Sequence, residues 1–167
     1  MQVIGIDPSS TCTGVAVVDG PRGSPVFVAG DLLRPSASLG YVERVAVMVS
    51  DVLALVGEFP PERVVVEMPD GKRHRLRDKD GNVRENVNMA SLAIYGVAAG
   101  AIFGALLAKG VPVRAVFVNE SSRGMPKRER QRIVAATFPN YRAEKDRGMD
   151  VSDAAFLALC EHREAGA

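Results

Sequence analysis

Four acidic residues each stand at the end of an otherwise apolar segment, a placement that constrains the fold more than anything else in the chain. Asp7 closes the run Val3-Ile4-Gly5-Ile6, and Glu67 closes Val64-Val65-Val66. Asp150 and Asp153 stand at the head of Ala154-Ala155-Phe156-Leu157-Ala158-Leu159. A lone carboxylate at the edge of a core is costly, whereas a divalent cation offsets the desolvation of several that converge on it. The chain is therefore expected to bring these acidic ends together from segments far apart in sequence.

Hydrophobic spacing supplies the elements that could do so. Val3 to Ile6, Val15 to Val18 and Val26 to Ala29 are short apolar runs separated by Gly, Pro and Ser, which predicts three antiparallel strands. From Leu39 to Val56, apolar residues at Val42, Val45, Ala46, Val49, Val52, Leu53 and Val56 recur at three- and four-residue steps, an amphipathic helix ended by Pro60 and Pro61. A strand at Val64 to Glu67 follows, then a polar loop from Pro69 to about Asn86, the one candidate mobile segment. A long uncharged helix, a strand at Val113 to Val118, a basic helix from about Pro126 to Thr137 and a last helix from Asp150 complete the order βββαβαβαα. The expected fold class is α/β, a central five-stranded mixed sheet, three antiparallel strands first, flanked by helices.

Composition limits the function classes. With 167 residues and 47% hydrophobic content, the chain suits one globular domain spanning residues 1–167. The formal charge of +1 conceals two basic stretches, Lys72, Arg73, Arg75 and Arg77, and Arg123, Lys127, Arg128, Arg130 and Arg132, either able to meet a polyanion. Read singly, each stretch is equally well a solvated surface. Cys12 and Cys160 share no zinc-like spacing with His74 or His162 and read as reduced and structural. The segment Met89 to Ala108 has the length of a membrane span, but its Ala, Gly and Ser content and its lack of an aromatic belt indicate a buried helix. Gly96, Gly100 and Gly104 fall on one face of it, which suits close approach either to the sheet or to a second subunit. The chain opens on a strand pattern instead of a leader, so a cytoplasmic location is expected.

Three or four carboxylates without soft ligands are what two hard cations about 4 Å apart need in order to activate a water and stabilise the leaving oxygen of a phosphodiester. Each acid also has an ordinary explanation. Asp7-Pro8 can begin a turn, Glu67-Met68-Pro69 can end an edge strand, and Asp150 followed by Asp153 can be a helix N-cap with an acid in the first turn. Taken together, the four favour the metal site.

Nearly the whole chain resembles the RuvC-like Holliday junction resolvases of the ribonuclease H-like nuclease superfamily. Ile4-Gly5-Ile6-Asp7-Pro8, followed by Thr13-Gly14 and Val15-Ala16-Val17, resembles the family's opening strands and first catalytic acid. Val65-Val66-Glu67 resembles the second motif, and Asp150-Val151-Ser152-Asp153-Ala154-Ala155 resembles the closing Asp-x-x-Asp-Ala motif. The resemblance implies a ribonuclease H-like fold and a magnesium-dependent endonuclease, with manganese able to substitute and two ions per site. It further implies binding of branched DNA, the four-way junction, by a symmetric homodimer with no membrane association, and paired nicks with ligatable ends. Asp7, Glu67, Asp150 and Asp153 would be the metal-holding acids, and the glycine-faced helix a dimer contact. Met125-Pro126-Lys127-Arg128 resembles the segment that offers lysines near the scissile phosphate, so Lys127 is the candidate for electrostatic help, with Arg128, Arg130 and Arg132 on flanking phosphates.

Two departures stand out. Ser9 replaces the glycine that the family usually has after Asp-Pro, and no Phe, Tyr or Trp lies between Met68 and Asn86, where the family often carries an aromatic wedge. The Arg and Lys there favour backbone contacts over stacking. Three other readings stay open: a nuclease of this fold acting on other branched DNA or on RNA, a non-catalytic junction-binding protein, and a phosphate-binding hairpin of the actin and sugar-kinase type at Thr11, Thr13 and Gly14, for which a second domain is missing.

Overall fold

The structure, a computed structural model, describes residues 1–69, 75–77, 83–85, 89–118, 120 and 124–164. Strands β1 (Val3–Pro8), β2 (Thr13–Asp19) and β3 (Val26–Leu33) form an antiparallel meander. They are followed by α1 (Tyr41–Glu58), β4 (Arg63–Met68), a small ribbon of β5 (Arg75–Arg77) and β6 (Val83–Glu85), and α2 (Met89–Ala108). Next come β7 (Val113–Phe117), α3 (Lys127–Thr137), a 3-10 turn at Ala143–Lys145 and α4 (Asp150–Glu164). The main sheet is five-stranded in the order β3-β2-β1-β4-β7, with β4 parallel to both β1 and β7. This is the mixed sheet expected, with one addition: the β5–β6 ribbon interrupts what reads in sequence as a continuous polar loop.

Strand alternation sorts the side chains into two cores. Ile4 and Ile6 of β1, Val15 and Val17 of β2, and Val64 and Val66 of β4 pack with Val52 and Val56 of α1 and Ile102 and Leu106 of α2. Val3, Ala16, Val18, Val65 and Val116 face the other way, against α4 and, through Val134, α3. Asp7 and Glu67 continue the second set by parity, which aims both carboxylates at the α4 layer. Val42, expected on the buried stripe of α1, is instead 77% exposed. The helix begins at Tyr41, so Val42 lies in its first turn, and the buried stripe starts at Val45.

Two glycines let α4 sit directly on the strands. A Cβ at Gly5 would run into the Ala154 carbonyl oxygen, and one at Gly14 into the Asp150 carbonyl oxygen. Bare backbone at both points brings the start of α4 down to the level of Asp7, whose register partner is Gly14. The β1–β2 turn needs no glycine at position 9. The Ser9 hydroxyl donates to the Cys12 carbonyl at 2.8 Å and accepts from the Cys12 amide at 3.1 Å, closing the turn with a side chain.

Of α2, Ala98, Ala99, Ile102 and Leu106 are fully buried while Val97 and Leu107 stand exposed. The helix expected to be buried is thus buried on one side. A Cβ at Gly100 or Gly104 would meet nothing within 4 Å, and one at Gly96 only Pro69 at 3.8 Å. The glycine row therefore does not face the sheet. Among the described residues, no helix is long and apolar enough to cross a membrane.

Candidate active site

β1 and β4 run parallel with Ile6 opposite Val66, so Asp7 and Glu67, one residue further on, emerge side by side at the same end of the sheet. The first turn of α4 adds Asp150 and Asp153, with Asp153 almost fully buried. All four acids singled out in the sequence thus meet at one end of the sheet. Their mutual effect is visible on Asp7. Its pKa is pushed well above the ordinary 3.8 by burial first, then by the charge of Glu67 and a hydrogen bond between the two carboxyls, then by Asp153, with Lys127 pulling the other way.

The Lys127 ammonium is the counter-charge. Its Nζ lies 2.9 Å from Asp153 Oδ2 and 3.4 Å from Asp150 Oδ1. Partial burial would lower its pKa, but the hydrogen bond and charge of Asp153, with Asp7 and Asp150 behind, outweigh that and raise it. Lys127 therefore stays protonated throughout the working pH range. Tyr95 adds a hydroxyl 3.4 Å from Glu67 Oε2, a contact not signalled in the sequence.

Arg130 corrects the sequence reading. Expected on flanking phosphates, it is 8% exposed and turned inward. Its Nε donates to Asp153 Oδ1 at 2.7 Å and its Nη1 to the Met125 carbonyl at 2.9 Å. Burial opposes its charge, but Asp153 more than compensates and its pKa is raised. A guanidinium held this way is not available to DNA. Arg128 and Arg132 are exposed as expected, Arg132 paired to Glu129 at 2.8 Å. Lys72, Arg73 and Arg123 lie outside the described residues, and Arg75 and Arg77 fall on strand β5, opposite Glu85 and Val83.

The donor set suits a hard divalent cation. Four carboxylates from three elements face one ammonium and one buried guanidinium, and the proton-sharing contact between Asp7 and Glu67 marks an excess of negative charge that a dication would relieve. No preformed cage exists: among the described residues, no group of three or more Asp, Glu, His or Cys is already arranged around a common point. Lys127 instead sits against both Asp150 and Asp153.

No protein-family model matches the chain. It is similar to the crossover junction endodeoxyribonuclease RuvC of Chromobacterium violaceum, 26% identical over 99% of this chain and 88% of that protein. Its structure is similar to Thermus thermophilus RuvC in complex with Holliday junction substrate, with a TM-score of 0.74 and 26% identity over 99% of this chain and 95% of that one. The fowlpox virus resolvase bound to Holliday junction DNA shares the fold at a TM-score of 0.56, with 12% identity over the full length of both chains. With the acids of the opening strand, of β4 and of the last helix converging on one end of a ribonuclease H-like sheet, the chain resembles the RuvC-like resolvases along nearly its whole length and shares their fold.

Proposed function

We propose that the protein resolves four-way DNA junctions by divalent-metal-dependent phosphodiester hydrolysis, acting in the cytoplasm as a homodimer that places one nick on each of two strands. The observation that carries this reading is the convergence of Asp7, Glu67, Asp150 and Asp153 at one end of the sheet, with Lys127 against the last two. The likeness to RuvC proteins along nearly the whole chain supports the choice of substrate.

Asp7, Glu67, Asp150 and Asp153 are the residues that would hold magnesium, two ions per site, with manganese able to substitute. Bound there, the metal supplies an activated water and stabilisation of the leaving oxygen. Lys127, permanently charged and half-exposed at the mouth of the acid cluster, would meet the charge that develops on the scissile phosphate. Arg128 and Arg132, exposed on the same helix, would hold neighbouring phosphates without regard to sequence, and the β5–β6 ribbon carries Arg75 and Arg77 for the same purpose. Arg130 serves Asp153 instead. The open glycine row of α2, with Val97 and Leu107 beside it, is the surface we assign to the dimer.

End-labelled four-way junctions, duplexes of the same sequence and branched RNA, incubated with magnesium or chelator, test the reading. Paired symmetric nicks are expected only on the junction with magnesium, and Asp153→Asn should abolish them while junction binding persists. Cutting by Asp153→Asn at the wild-type rate would overturn the assignment of the acids. Preferential cutting of branched RNA would overturn the substrate.

A further inference from the structure

Sequence makes Asp150 the natural N-cap of the last helix, yet the structure gives that task to a different carboxylate. Asp146, 7% exposed, lies four residues before α4. It accepts hydrogen bonds from the backbone amide of Ser152 at 2.7 Å and from that of Val151 at 3.3 Å. The Tyr141 hydroxyl donates to the same carboxylate at 2.6 Å. Burial and this bond to Asp146 push the Tyr141 pKa up to about 12, so the hydroxyl remains a donor. From α3, the Gln131 side-chain amide reaches the Asp146 carbonyl at 3.1 Å and the Tyr141 hydroxyl at 3.3 Å. Between Asp146 and the helix, Met149 sits at φ 62, in the left-handed region that side chains of its size avoid, as the chain doubles back to bring the carboxylate over the helix start.

The first amides of any helix lack partners within it, and an acid at the helix start ordinarily turns its carboxylate back to them. Asp150 does not. Its Oδ1 faces the Lys127 ammonium at 3.4 Å and its Oδ2 lies 4.0 Å from the Cys12 thiol. We propose that Asp146 is a positioning residue for the active site: by satisfying the first-turn amides of α4, it frees Asp150 to point into the acid cluster and fixes the turn from which Asp150 and Asp153 project. The inference rests on the reading of those two residues as metal-holding acids.

The geometry separates this role from mere stabilisation. Among the described residues, the bonds of Asp146 go to Tyr141, to two amides of α4 and, through its backbone, to Gln131, Ala143 and Met149, and none goes to an acid of the cluster. Removing the carboxylate takes the acceptor from the hydroxyl of Tyr141, whose ring stays packed in the core, and returns two orphaned amides to the helix start, for which Asp150 is the nearest acceptor in sequence. A caps-for-metal exchange of this kind lowers metal affinity and turnover together while leaving the basic surface intact.

The test uses Asp146→Ala, Asp146→Asn and Tyr141→Phe in the full chain, with three readouts: manganese affinity without DNA, kcat and KM on a four-way junction, and amide hydrogen exchange. For Asp146→Ala, manganese affinity and kcat should each fall about 10–100-fold, the range found when groups that orient metal ligands are lost. KM should hold, and exchange should quicken at Val151 and Ser152 but not along β1 and β2. Asp146→Asn, which keeps one acceptor oxygen, and Tyr141→Phe, which keeps the carboxylate, should show smaller losses in the same direction; if Asp146→Ala does not fold, these two carry the comparison. Wild-type manganese affinity and kcat in the folded variants would overturn the proposal, as would losses that appear only with faster exchange throughout the sheet. A wild-type protein that binds no manganese and cuts nothing would instead overturn the functional reading, and this inference with it, before any variant is compared.

Discussion

Replacing Asp7 with Asn should inactivate the enzyme and, in chelator, make it more stable. Asp7 is 9% exposed and shares its end of the sheet with Glu67 and Asp153, with Lys127 as the opposing charge. At about 4 Å and an effective dielectric of about 20, each like-charge neighbour costs on the order of 4 kcal/mol, and Lys127 cancels roughly one of the two. About 4 kcal/mol is therefore a ceiling. Partial protonation and relaxation reduce it, leaving a gain of about 1–2 kcal/mol, the usual yield of removing an unfavourable charge. For a chain of this length that is a rise of about 2–8 °C in melting temperature. The sign with pH follows from the raised folded-state pKa. Protonated Asp7 costs the fold little, so wild type and variant converge near and below the ordinary 3.8. As pH climbs from there through the raised folded value, wild type loses stability and Asp7→Asn does not, so the advantage grows toward neutral pH. Differential scanning calorimetry in chelator from pH 4 to pH 8 reads this, and calcium should reverse the order by stabilising wild type by about 2.7 kcal/mol at a hundred times its dissociation constant. A variant less stable than wild type in chelator at pH 8 would refute the charge-crowding argument, as would equal calcium shifts in both proteins.

Two further outcomes follow from the same geometry. Lys127→Met removes the cation that occupies Asp150 and Asp153, so manganese affinity without DNA should rise by electron paramagnetic resonance titration, while junction cleavage falls about 10²–10³-fold for loss of a transition-state charge contact; weaker manganese binding would show that Lys127 supports the site instead of competing for it. Gly100→Arg adds a side chain where a Cβ meets nothing within 4 Å and replaces a poor helix former inside α2, so the protomer should keep its stability or gain up to about 1 kcal/mol, yet sedimentation velocity should shift from dimer to monomer; a dimer that survives would move the interface off this face.

Strand parity makes the acid site legible in the sequence. Because side chains alternate, an acid that ends an apolar strand shares a face with every second residue before it. Asp7 and Glu67 therefore have to emerge on a common side once β1 and β4 pair in parallel. The depth at which α4 sits is not legible in the same way. It depends on Gly5 and Gly14 meeting the carbonyls of Ala154 and Asp150, contacts between segments at opposite ends of the chain that no local pattern encodes. Glycine in the interior of a predicted strand is the available sign at Gly5, since it weakens the strand unless another backbone must come close, whereas Gly14 stands just before the strand expected from Val15. Asp146 has less to announce it: its neighbours Arg142, Glu144, Lys145 and Arg147 are charged, and only the fold shows that one carboxylate among them turns inward.

The basic helix shows why charge alone misassigns function. In sequence, Lys127, Arg128, Arg130 and Arg132 form one cationic run, and a run of cations reads as a surface for phosphates. On a helix they do not form one surface. Arg130 lies three residues after Lys127 and four before Val134, which is fully buried. It therefore sits on the stripe that packs against α4, whereas Arg128 and Arg132 flank that stripe and face solvent. A guanidinium on a buried stripe must meet an acid, because an unpaired one would cost several kcal/mol. The acid within reach is Asp153, and the 2.7 Å bond between them fixes one carboxylate oxygen of the cluster. The other oxygen of Asp153 is the one Lys127 holds at 2.9 Å. Three-residue spacing thus divides one carboxylate between a fixed, buried arginine and a half-exposed lysine, and of the two only the lysine reaches solvent.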